Sequence, residues 1–304
     1  MSALVTVVGS LNADLTILVD HIPSAGETIV GTAPGEIHFG GKGANQAAAA
    51  AAMGGRVSMV GRVGDDEIGE RIRADLAARG IAVDGLLTTT GAQTGRATIV
   101  VDPEGENLII VDSGANHRLA VEDVTTGAVR DADVILVQLE IPVDAAAAAI
   151  AMAGGLVVLN PAPPAVLAPG VLDRVDVLVP NMGELGFLVG GETPRDRDEA
   201  AQLAESLRGR FDVVVTMGAL GALVVPRHGE VTHIQAPPTD VVDTTGAGDC
   251  FCGALAVGLA EGRDLVASAR FAVVAAALST TAPGARGGLP PRELVDAGAM
   301  TPTL

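Results

Sequence analysis

A glycine-rich turn that runs into a helix carries the carboxylate best placed to do chemistry in this chain. Asp243-Thr244-Thr245-Gly246-Ala247-Gly248-Asp249 leads directly into Cys250–Leu255, a segment with helical character. The free N–H groups and the positive dipole end of a helix start attract anions, and glycines let a phosphate approach the backbone. A carboxylate there repels the anion unless it has a task, such as taking the proton of an alcohol that attacks phosphorus. The alternative is that Asp249 only caps the helix, although capping alone does not require Gly246 and Gly248.

A second glycine turn, Gly40–Asn45, contains the only lysine of the chain, Lys42, although the chain has 19 basic residues. The spacing G-x-x-x-x-G-K-[ST] fails, so this turn is not a P-loop. It offers Lys42 and Asn45 to a polyol. Asn12 and Asp14, placed just after the first predicted strand, are further candidates for binding hydroxyl groups. For Asp14 a solvated surface position is the alternative, and the strand end favours a site.

Two further strand ends carry groups suited to a nucleotide. Asn181 and Glu184 follow the predicted strand Val177–Val179, three residues apart at a helix start. This pair positions Mg²⁺ through water, or it is a capping box; the sequence favours neither. The glycine turn Thr216–Gly221 suits nucleotide phosphates or ribose, although such turns are common.

The order of elements predicts an α/β fold with a mostly parallel sheet, because short β-branched runs alternate with Ala-rich helical runs. The predicted strands are Leu4–Gly9, Arg56–Val60, Val134–Val137, Leu156–Leu159, Val177–Val179 and Val213–Thr216, and the predicted helices are Asn45–Met53, Glu67–Arg79, Asp144–Ala153, Glu199–Leu207, Ala247–Ala260 and Asp264–Thr280. Two regions lack a helix between strands: Leu15–Val19 with Glu27–Gly31, and Arg96–Val101 with Glu106–Val111. They predict a small antiparallel sheet, within about residues 14–33 and 95–112, that is either a lid over a site or an edge extension.

Composition limits the partners. The 304 residues are 48% hydrophobic and carry a formal net charge of -18, so a large core is expected and nucleic-acid or anionic-membrane binding is not. No apolar run is long enough for a membrane helix, and we expect a cytoplasmic protein with one core domain, residues 1–304. The five histidines show no metal-ligand spacing, and no G-x-S-x-G elbow indicates acyl transfer.

Taken together, these motifs resemble the ribokinase family of carbohydrate kinases, which includes adenosine kinase, fructokinases and the minor phosphofructokinase. The resemblance spans nearly the whole chain. It rests on Gly9–Asp14, on Gly40–Ala47 and Asp243–Asp249 in that order, and on Gly114–Asn116, Gln138–Glu140, Asn160–Pro163 and Pro180–Glu184. The resemblance implies a three-layer α/β/α fold with a small β lid, and ATP-dependent phosphorylation of the 5-hydroxyl of D-ribose to ribose 5-phosphate.

The resemblance also implies roles for individual residues. Asp249 would be the base, and the amides of Gly246, Ala247 and Gly248 would stabilise the transferred phosphoryl group. The sugar would be bound by Asn12, Asp14, Gly40, Gly41, Lys42, Asn45, Glu140 and Asp249. ATP would be bound by Asn181, Thr216, Gly218, Gly221 and Gly248, with Mg²⁺ ordered through water by Asn181 and Glu184. A K⁺ site would involve Asp243, Thr245, Ala282, Ala285 and Gly288. Gly287-Gly288 stands where the family often has Pro-Ser, which removes one side-chain oxygen there. A homodimer through the lid is the implied assembly.

Two alternatives stay open. The first alternative keeps the fold and changes the substrate to a ribonucleoside or another sugar. The nucleoside has little support, because Phe39 is the only aromatic residue in the sugar motifs and the chain has no Trp or Tyr to stack on a base. A non-catalytic sugar-binding protein is the alternative of another class. We would expect such a protein to lack Asp249 or a glycine of the anion site, and all are present.

Overall fold

Thirteen strands and eleven α-helices make up the part of the chain described by a computed structural model, residues 3–300. The strands are β1 (Leu4–Val8), β2 (Asn12–Leu18), β3 (Glu36–Gly40), β4 (Arg56–Gly64), β5 (Ala82–Thr89), β6 (Gly95–Val101), β7 (Asn107–Asp112), β8 (Val134–Val137), β9 (Leu156–Leu159), β10 (Val177–Leu178), β11 (Asp212–Thr216), β12 (Ala222–Val225) and β13 (Thr232–Ile234). The helices are α1 (Lys42–Ala52), α2 (Glu67–Ala78), α3 (Val121–Val124), α4 (Gly127–Arg130), α5 (Val143–Met152), α6 (Pro169–Leu172), α7 (Met182–Leu188), α8 (Arg197–Glu205), α9 (Ala247–Ala260), α10 (Leu265–Ser279) and α11 (Arg292–Met300). Two 3₁₀ turns, Gly114–Arg118 and Gly218–Leu220, complete the list.

The large sheet has nine strands in the order β13-β12-β11-β10-β9-β8-β1-β4-β5. From β11 to β5 all neighbours are parallel, and β12 and β13 extend that edge as antiparallel strands. Two apolar clusters lie on its two faces. One contains side chains of α1, α2, α9, α10 and α11, and the other contains side chains of α3, α4, α5, α7 and α8. Because both faces are covered, the central strands β8 and β9 are apolar throughout, and the predicted α/β fold with a mostly parallel sheet is confirmed.

The small sheet has four strands in the order β3-β2-β6-β7. Its two outer pairs are antiparallel as predicted, whereas the central pair, β2 with β6, is parallel. The prediction of a strand over Glu27–Gly31 is wrong, since the partner of β2 is β3, and Val30 is exposed. The segment near Ile29 approaches only the end of β2, where Thr32 N–H donates to the Leu18 carbonyl at 2.8 Å, and the pairing of β2 with β3 overrides its β propensity. β2 also begins earlier than predicted, and Asn12 and Asp14 therefore lie within a strand.

Polar side chains gather where parallel strands of the large sheet end. Asn160 follows β9, Asn181 comes soon after β10 and forms an isolated bridge with Thr216, the last residue of β11. Helices α1 and α9 begin at the same edge and pack closely, since a Cβ on Gly253 would lie 2.6 Å from the Gln46 carbonyl oxygen. The fold therefore brings the starts of two distant helices together above the strand ends.

Among residues 3–300, no helix is long and apolar enough to cross a membrane.

Candidate active site

Asp249 is the third residue of α9, directly after a left-handed turn. The turn residue Gly246 has φ of 75°, and a side chain there would lie 2.6 Å from Ala285 Cβ. Conformation and space therefore both require glycine. In residues 3–300 the N–H groups of Gly246 and Gly248 have no protein acceptor, whereas the N–H of Ala247 donates to the Thr244 carbonyl at 3.2 Å. Of the three predicted amides, two are thus free to bind an anion, and the third already has a partner within the turn.

Two side-chain amides hold the Asp249 carboxylate. Asn45 Nδ2 donates to Oδ2 at 3.1 Å, and Gln46 Nε2 donates to Oδ1 at 3.0 Å. Both donors lie in the first turns of α1, and the close packing of α1 on α9 brings them to Asp249. Asp249 and Asn45 are both buried. A carboxylate with one donor on each oxygen has a fixed orientation and keeps lone pairs for a ligand hydroxyl.

Charges around Asp249 favour proton acceptance beside an anion. Burial raises the pKa of the Asp249 carboxyl above its usual range, and the Lys42 ammonium and the two amides offset this only in part. Burial lowers the pKa of Lys42, but the carboxylates of Asp249, Glu140 and Glu184 outweigh it and raise that pKa overall. The site therefore combines a cation that stays charged with a carboxylate of increased proton affinity, a combination suited to general-base chemistry near phosphate.

A second carboxylate, the half-buried Asp14, lies on β2 beside the end of β3. A Cβ on Gly40 would lie 1.8 Å from Asp14 Oδ2, so the neighbouring strand has room only for glycine. Asp14 Oδ1 is buried and has no hydrogen-bond partner in the described part of the chain. Burial, together with the nearby charge of Glu140, raises the pKa of Asp14 to about 6. A buried acceptor without a donor is costly unless a ligand supplies one, and a polyol hydroxyl fits this oxygen.

Two further residues predicted to bind the sugar, Asn12 and Gly41, lie close to each other. Asn12 Oδ1 accepts from Asn116 Nδ2 at 2.8 Å, so towards a ligand the amide of Asn12 has its N–H groups to offer. Gly41 caps α1 with φ of 84°, and a Cβ there would lie 2.7 Å from the Asn12 nitrogen. Glu140 is tied to the protein through one of its oxygens, because Oε2 accepts from Ser10 Oγ at 2.5 Å and from the Lys42 N–H at 3.0 Å. These bonds fix the start of α1 against the end of β1.

A cavity of about 790 Å³ opens on the other side of Asp249. It is lined by all five residues predicted to bind ATP, namely Asn181, Thr216, Gly218, Gly221 and Gly248. Lys42, Glu184 and Asp249 also line it. The other residues predicted to bind sugar, Asn12, Asp14, Gly40, Gly41, Asn45 and Glu140, do not line this cavity. Asp249 therefore belongs to both sets, since it lines the cavity and accepts a hydrogen bond from Asn45, a residue predicted to bind sugar. Lys42 lies on the cavity wall.

Asn181 and Glu184 form the capping box that was one of their two interpretations. Asn181 Oδ1 accepts from the Glu184 N–H at 2.8 Å, and Glu184 Oε2 accepts from the Asn181 N–H at 2.9 Å. Burial raises the pKa of Glu184. Within residues 3–300 no three His, Cys, Asp or Glu side chains are grouped to hold a metal. The capping box leaves Glu184 on the cavity wall, so the pair fits a hydrated Mg²⁺ held mainly by water and phosphate, and the two interpretations are compatible.

The residues implied for a K⁺ site come together beside the turn that precedes α9. Asp243 accepts from the Thr245 N–H at 2.8 Å and from the Gly284 N–H at 2.7 Å. Burial acts to raise the pKa of Asp243, but these hydrogen bonds outweigh it, and the pKa is lowered overall. A Cβ on Gly288 would lie 3.2 Å from the Ala282 carbonyl oxygen, and Ala285 contacts Gly246. One carboxylate among backbone carbonyls is a set of oxygen donors that fits a monovalent cation.

Three contributors to the site were missed in the sequence. Gln46 donates to Asn160 as well as to Asp249, and Gln138 Nε2 donates to Gln46 Oε1 at 2.5 Å. A buried glutamine at the head of an Ala-rich helix was the available signal. Arg286 Nε donates to Asn45 Oδ1 at 2.9 Å across 241 residues, and no local pattern indicated that contact.

Comparison with known proteins agrees with this arrangement. Residues 2–292 match the pfkB family carbohydrate kinase. The chain is 39% identical to the ribokinase of Bacillus subtilis, over 96% of this chain and 98% of that protein. It is 37% identical to the ribokinase of Haemophilus influenzae, over 96% of this chain and 97% of that protein. The structure of Arabidopsis thaliana ribokinase complexed with ribose and ATP is 32% identical with a TM-score of 0.88, covering 99% of this chain and 100% of that chain. Agreement of sequence and fold over almost the full length shows that this chain belongs to the pfkB family of carbohydrate kinases.

Proposed function

We propose that this protein transfers the γ-phosphoryl group of ATP to the 5-hydroxyl of D-ribose, giving ribose 5-phosphate and ADP. The observation that carries the proposal is the position of Asp249. It is a buried carboxylate held by two amides, between a cavity of nucleotide size and the hydroxyl-binding group around Asp14. Near-full-length relatives with ribokinase activity in their names support ribose as the substrate.

The mechanism follows from the site. Asp249 accepts the proton of the 5-hydroxyl as that oxygen attacks the γ-phosphorus in line, a new P–O bond forms, and the bond to the β-phosphate oxygen breaks to release ADP. The free N–H groups of Gly246 and Gly248 stabilise the charge on the transferred group. The Lys42 ammonium on the cavity wall offsets phosphate charge. Asp14 and Asn12 hold the ring hydroxyls, the former as acceptor and the latter as donor.

Two metal ions are part of the proposal. When bound, Mg²⁺ would neutralise phosphate charge, and Glu184 with Asn181 would hold its water shell. The oxygen donors around Asp243 would hold K⁺ beside the anion site, where the cation would stabilise the turn that presents Gly246. Because ATP is the co-substrate, we further propose that the protein acts in the cytoplasm.

The small sheet is proposed as a lid that also forms a homodimer interface. Its strands carry apolar side chains that are each between 41% and 60% exposed, namely Leu18, Ile37, Leu108, Ile109, Ile110 and Val111. Successive residues of a strand point to opposite faces, so Leu18, Ile109 and Val111 lie on the face that carries Asp14, and Ile37, Leu108 and Ile110 lie on the other face. A sheet with uncovered apolar faces is marginal by itself. A second copy of this chain would bury the face opposite Asp14, and closure of the lid would exclude water from the Asp14 carboxylate.

The experiment is ATP-dependent ADP release with D-ribose, 2-deoxy-D-ribose, other pentoses, hexoses and ribonucleosides, each with and without K⁺. Turnover on ribose, lost in Asp249→Asn while ATP binding stays, is the expected result. The matched control is Asp84→Asn, which also removes one carboxylate but at an exposed position. Asp243→Asn would not serve as the control, because Asp243 is one of the residues proposed to hold K⁺. Preference for a nucleoside or hexose would replace the substrate and keep the mechanism. Sugar binding without turnover would support the binding-protein alternative, and substantial turnover by Asp249→Asn would refute the base assignment.

A further inference from the structure

A buried arginine connects the C-terminal loop to the start of α1. Arg286 Nε donates to Asn45 Oδ1 at 2.9 Å, Nη1 to Asp75 Oδ2 at 2.8 Å, and Nη2 to the Gly40 carbonyl at 3.1 Å. Its side chain is only 6% exposed. Each nitrogen of the guanidinium thus has a partner, and the three partners belong to α1, α2 and the end of β3.

The chemistry of its neighbours fixes the orientation of the Asn45 amide. An arginine can only donate hydrogen bonds, and an ionised carboxylate can only accept them. Asn45 lies between the two, bonded to Arg286 through Oδ1 and to Asp249 through Nδ2. The reversed amide would place its oxygen against the Asp249 carboxylate and its N–H groups against the guanidinium. Arg286 therefore determines which end of Asn45 meets Asp249.

We propose that Arg286 is a positioning residue for phosphoryl transfer, which holds Asn45 as a donor to Asp249 and joins this bond to the end of β3 through the Gly40 carbonyl. The inference rests on the proposed role of Asp249 as the base. A buried ion pair such as Arg286–Asp75 often contributes no more stability than apolar side chains of similar size. Stability alone therefore does not account for a guanidinium at this place.

The consequence for Asp249 has a definite direction. Hydrogen bonds from Asn45 and Gln46 lower the pKa of Asp249 against the effect of burial. Only the Asn45 bond depends on Arg286. None of the other charged groups that act on this carboxylate, Lys42, Glu140, Glu184 and Asp14, is hydrogen-bonded to Arg286. The guanidinium charge also lowers the pKa of Asp14, so its loss should raise that pKa as well. Loss of the guanidinium should therefore raise the pKa of Asp249.

The test compares Arg286→Met and Arg286→Lys with a matched control, Arg292→Met. Arg292 is also a C-terminal arginine with every nitrogen bonded, to Asp296, Glu261 and the Met53 carbonyl, and none of these partners touches Asp249. For Arg286→Met we expect kcat on ribose to fall about ten- to a hundredfold, the size of one hydrogen bond to a charged group. The KM for ATP should change less than about twofold, since uniform nucleotide binding is untouched. The acid limb of the pH profile should move to higher pH, and Arg286→Lys should recover part of kcat.

Arg292→Met should lower stability and leave the pH profile in place. In an Asn45→Ala background Arg286→Met should cost little more, because the two residues act as a unit. An unshifted acid limb, or fully additive losses, would overturn the inference. Loss of turnover in Asp249→Asn, measured alongside, reports on the proposed function separately.

A readout that needs no turnover covers the case in which no sugar is phosphorylated. The chain has six asparagines, so ¹⁵N-asparagine labelling gives few side-chain amide signals. The Asn45 NH₂ group should exchange slowly with solvent in the parent protein and faster in Arg286→Met. Equal exchange in both proteins would refute the role of Arg286 whatever the substrate proves to be.

Discussion

Replacement of Asp14 by Asn should stabilise the protein at neutral pH while it weakens sugar binding. The carboxylate lies in strand β2 with Oδ1 buried and unpartnered. Burial first, and then the charges of Glu140 and Asp249, raise the pKa of Asp14 from 3.8 to about 6, against the opposing effect of Arg286. A difference of about 2 pKa units corresponds to about 3 kcal/mol. Some of this is screened by solvent at the partly open site, so we expect a gain of about 1–3 kcal/mol in the free energy of unfolding.

The sign of the pH dependence follows from the raised pKa. The folded state binds the Asp14 proton more tightly than the unfolded state, so the protein loses stability as pH rises from about 3.8 to about 6. Above about 6 the full penalty is present. The advantage of Asp14→Asn should therefore be largest at pH 8 and close to zero at pH 4. Removal of any negative charge reduces the electrostatic repulsion within a chain of net charge -18. The stability of Asp84→Asn, at an exposed position in β5, measures this general effect, which is subtracted from the gain of Asp14→Asn.

Urea unfolding at pH 8 and pH 4 measures the stability of the three proteins, and initial rates give the KM for ribose. Loss of a hydrogen bond to a charged acceptor should raise that KM about ten- to a hundredfold. The reasoning would be refuted if Asp14→Asn matched Asp84→Asn in stability at both pH values, since the buried charge would then carry no penalty. An unchanged KM would show that Asp14 does not bind the sugar.

Three further substitutions test other parts of the site. Gly246→Ala places a side chain in a left-handed conformation against Ala285, and it should cost about 1–3 kcal/mol of stability and most of the turnover. The control Gly262→Ala, with φ of 79° and open space around it, should lose stability alone. Urea midpoints measure the stability of both variants, and initial rates measure their turnover. Glu184→Gln keeps a capping box and should raise the Mg²⁺ concentration needed for half-maximal rate, so an unchanged Mg²⁺ titration would exclude a role in ordering the ion. Ile110→Glu should halve the mass measured by light scattering if the small sheet forms a dimer, and a parent protein of monomeric mass would contradict the interface.

Elements set by local patterns were predictable to the residue. The strands Val134–Val137 and Leu156–Leu159 and the helix Ala247–Ala260 have the predicted bounds, because apolar β-branched runs and an Ala-rich run after a glycine turn each specify one structure. The strand over Glu27–Gly31 failed for the opposite reason. The register of β2, which pairs Asp14 with His38 and Asn12 with Gly40, selects Glu36–Gly40 despite its weaker pattern.

The candidate site divides in the same way. Four of the residues predicted to bind ATP lie at or after strand ends, the fifth, Gly248, lies at the start of α9, and all five line one cavity. Lys42 was predicted on the sugar side, and its position on that wall depends on how α1 packs against α9. Motif spacing can place a residue at a helix start, but the direction in which its side chain leaves is decided by tertiary contacts.

The hydrogen bonds that orient Asp249 show why that limit matters for function. Asn45 and Gln46 reach Asp249 across more than 200 residues, and Arg286 reaches Asn45 from a third segment. An amide alone has no preferred direction, since either end can face a polar neighbour. A donor-only guanidinium on one side and an acceptor-only carboxylate on the other remove that freedom. The basicity of Asp249 is therefore set jointly by three segments of the chain. No local sequence pattern connects these segments, so the effect depends on how they pack together in the fold.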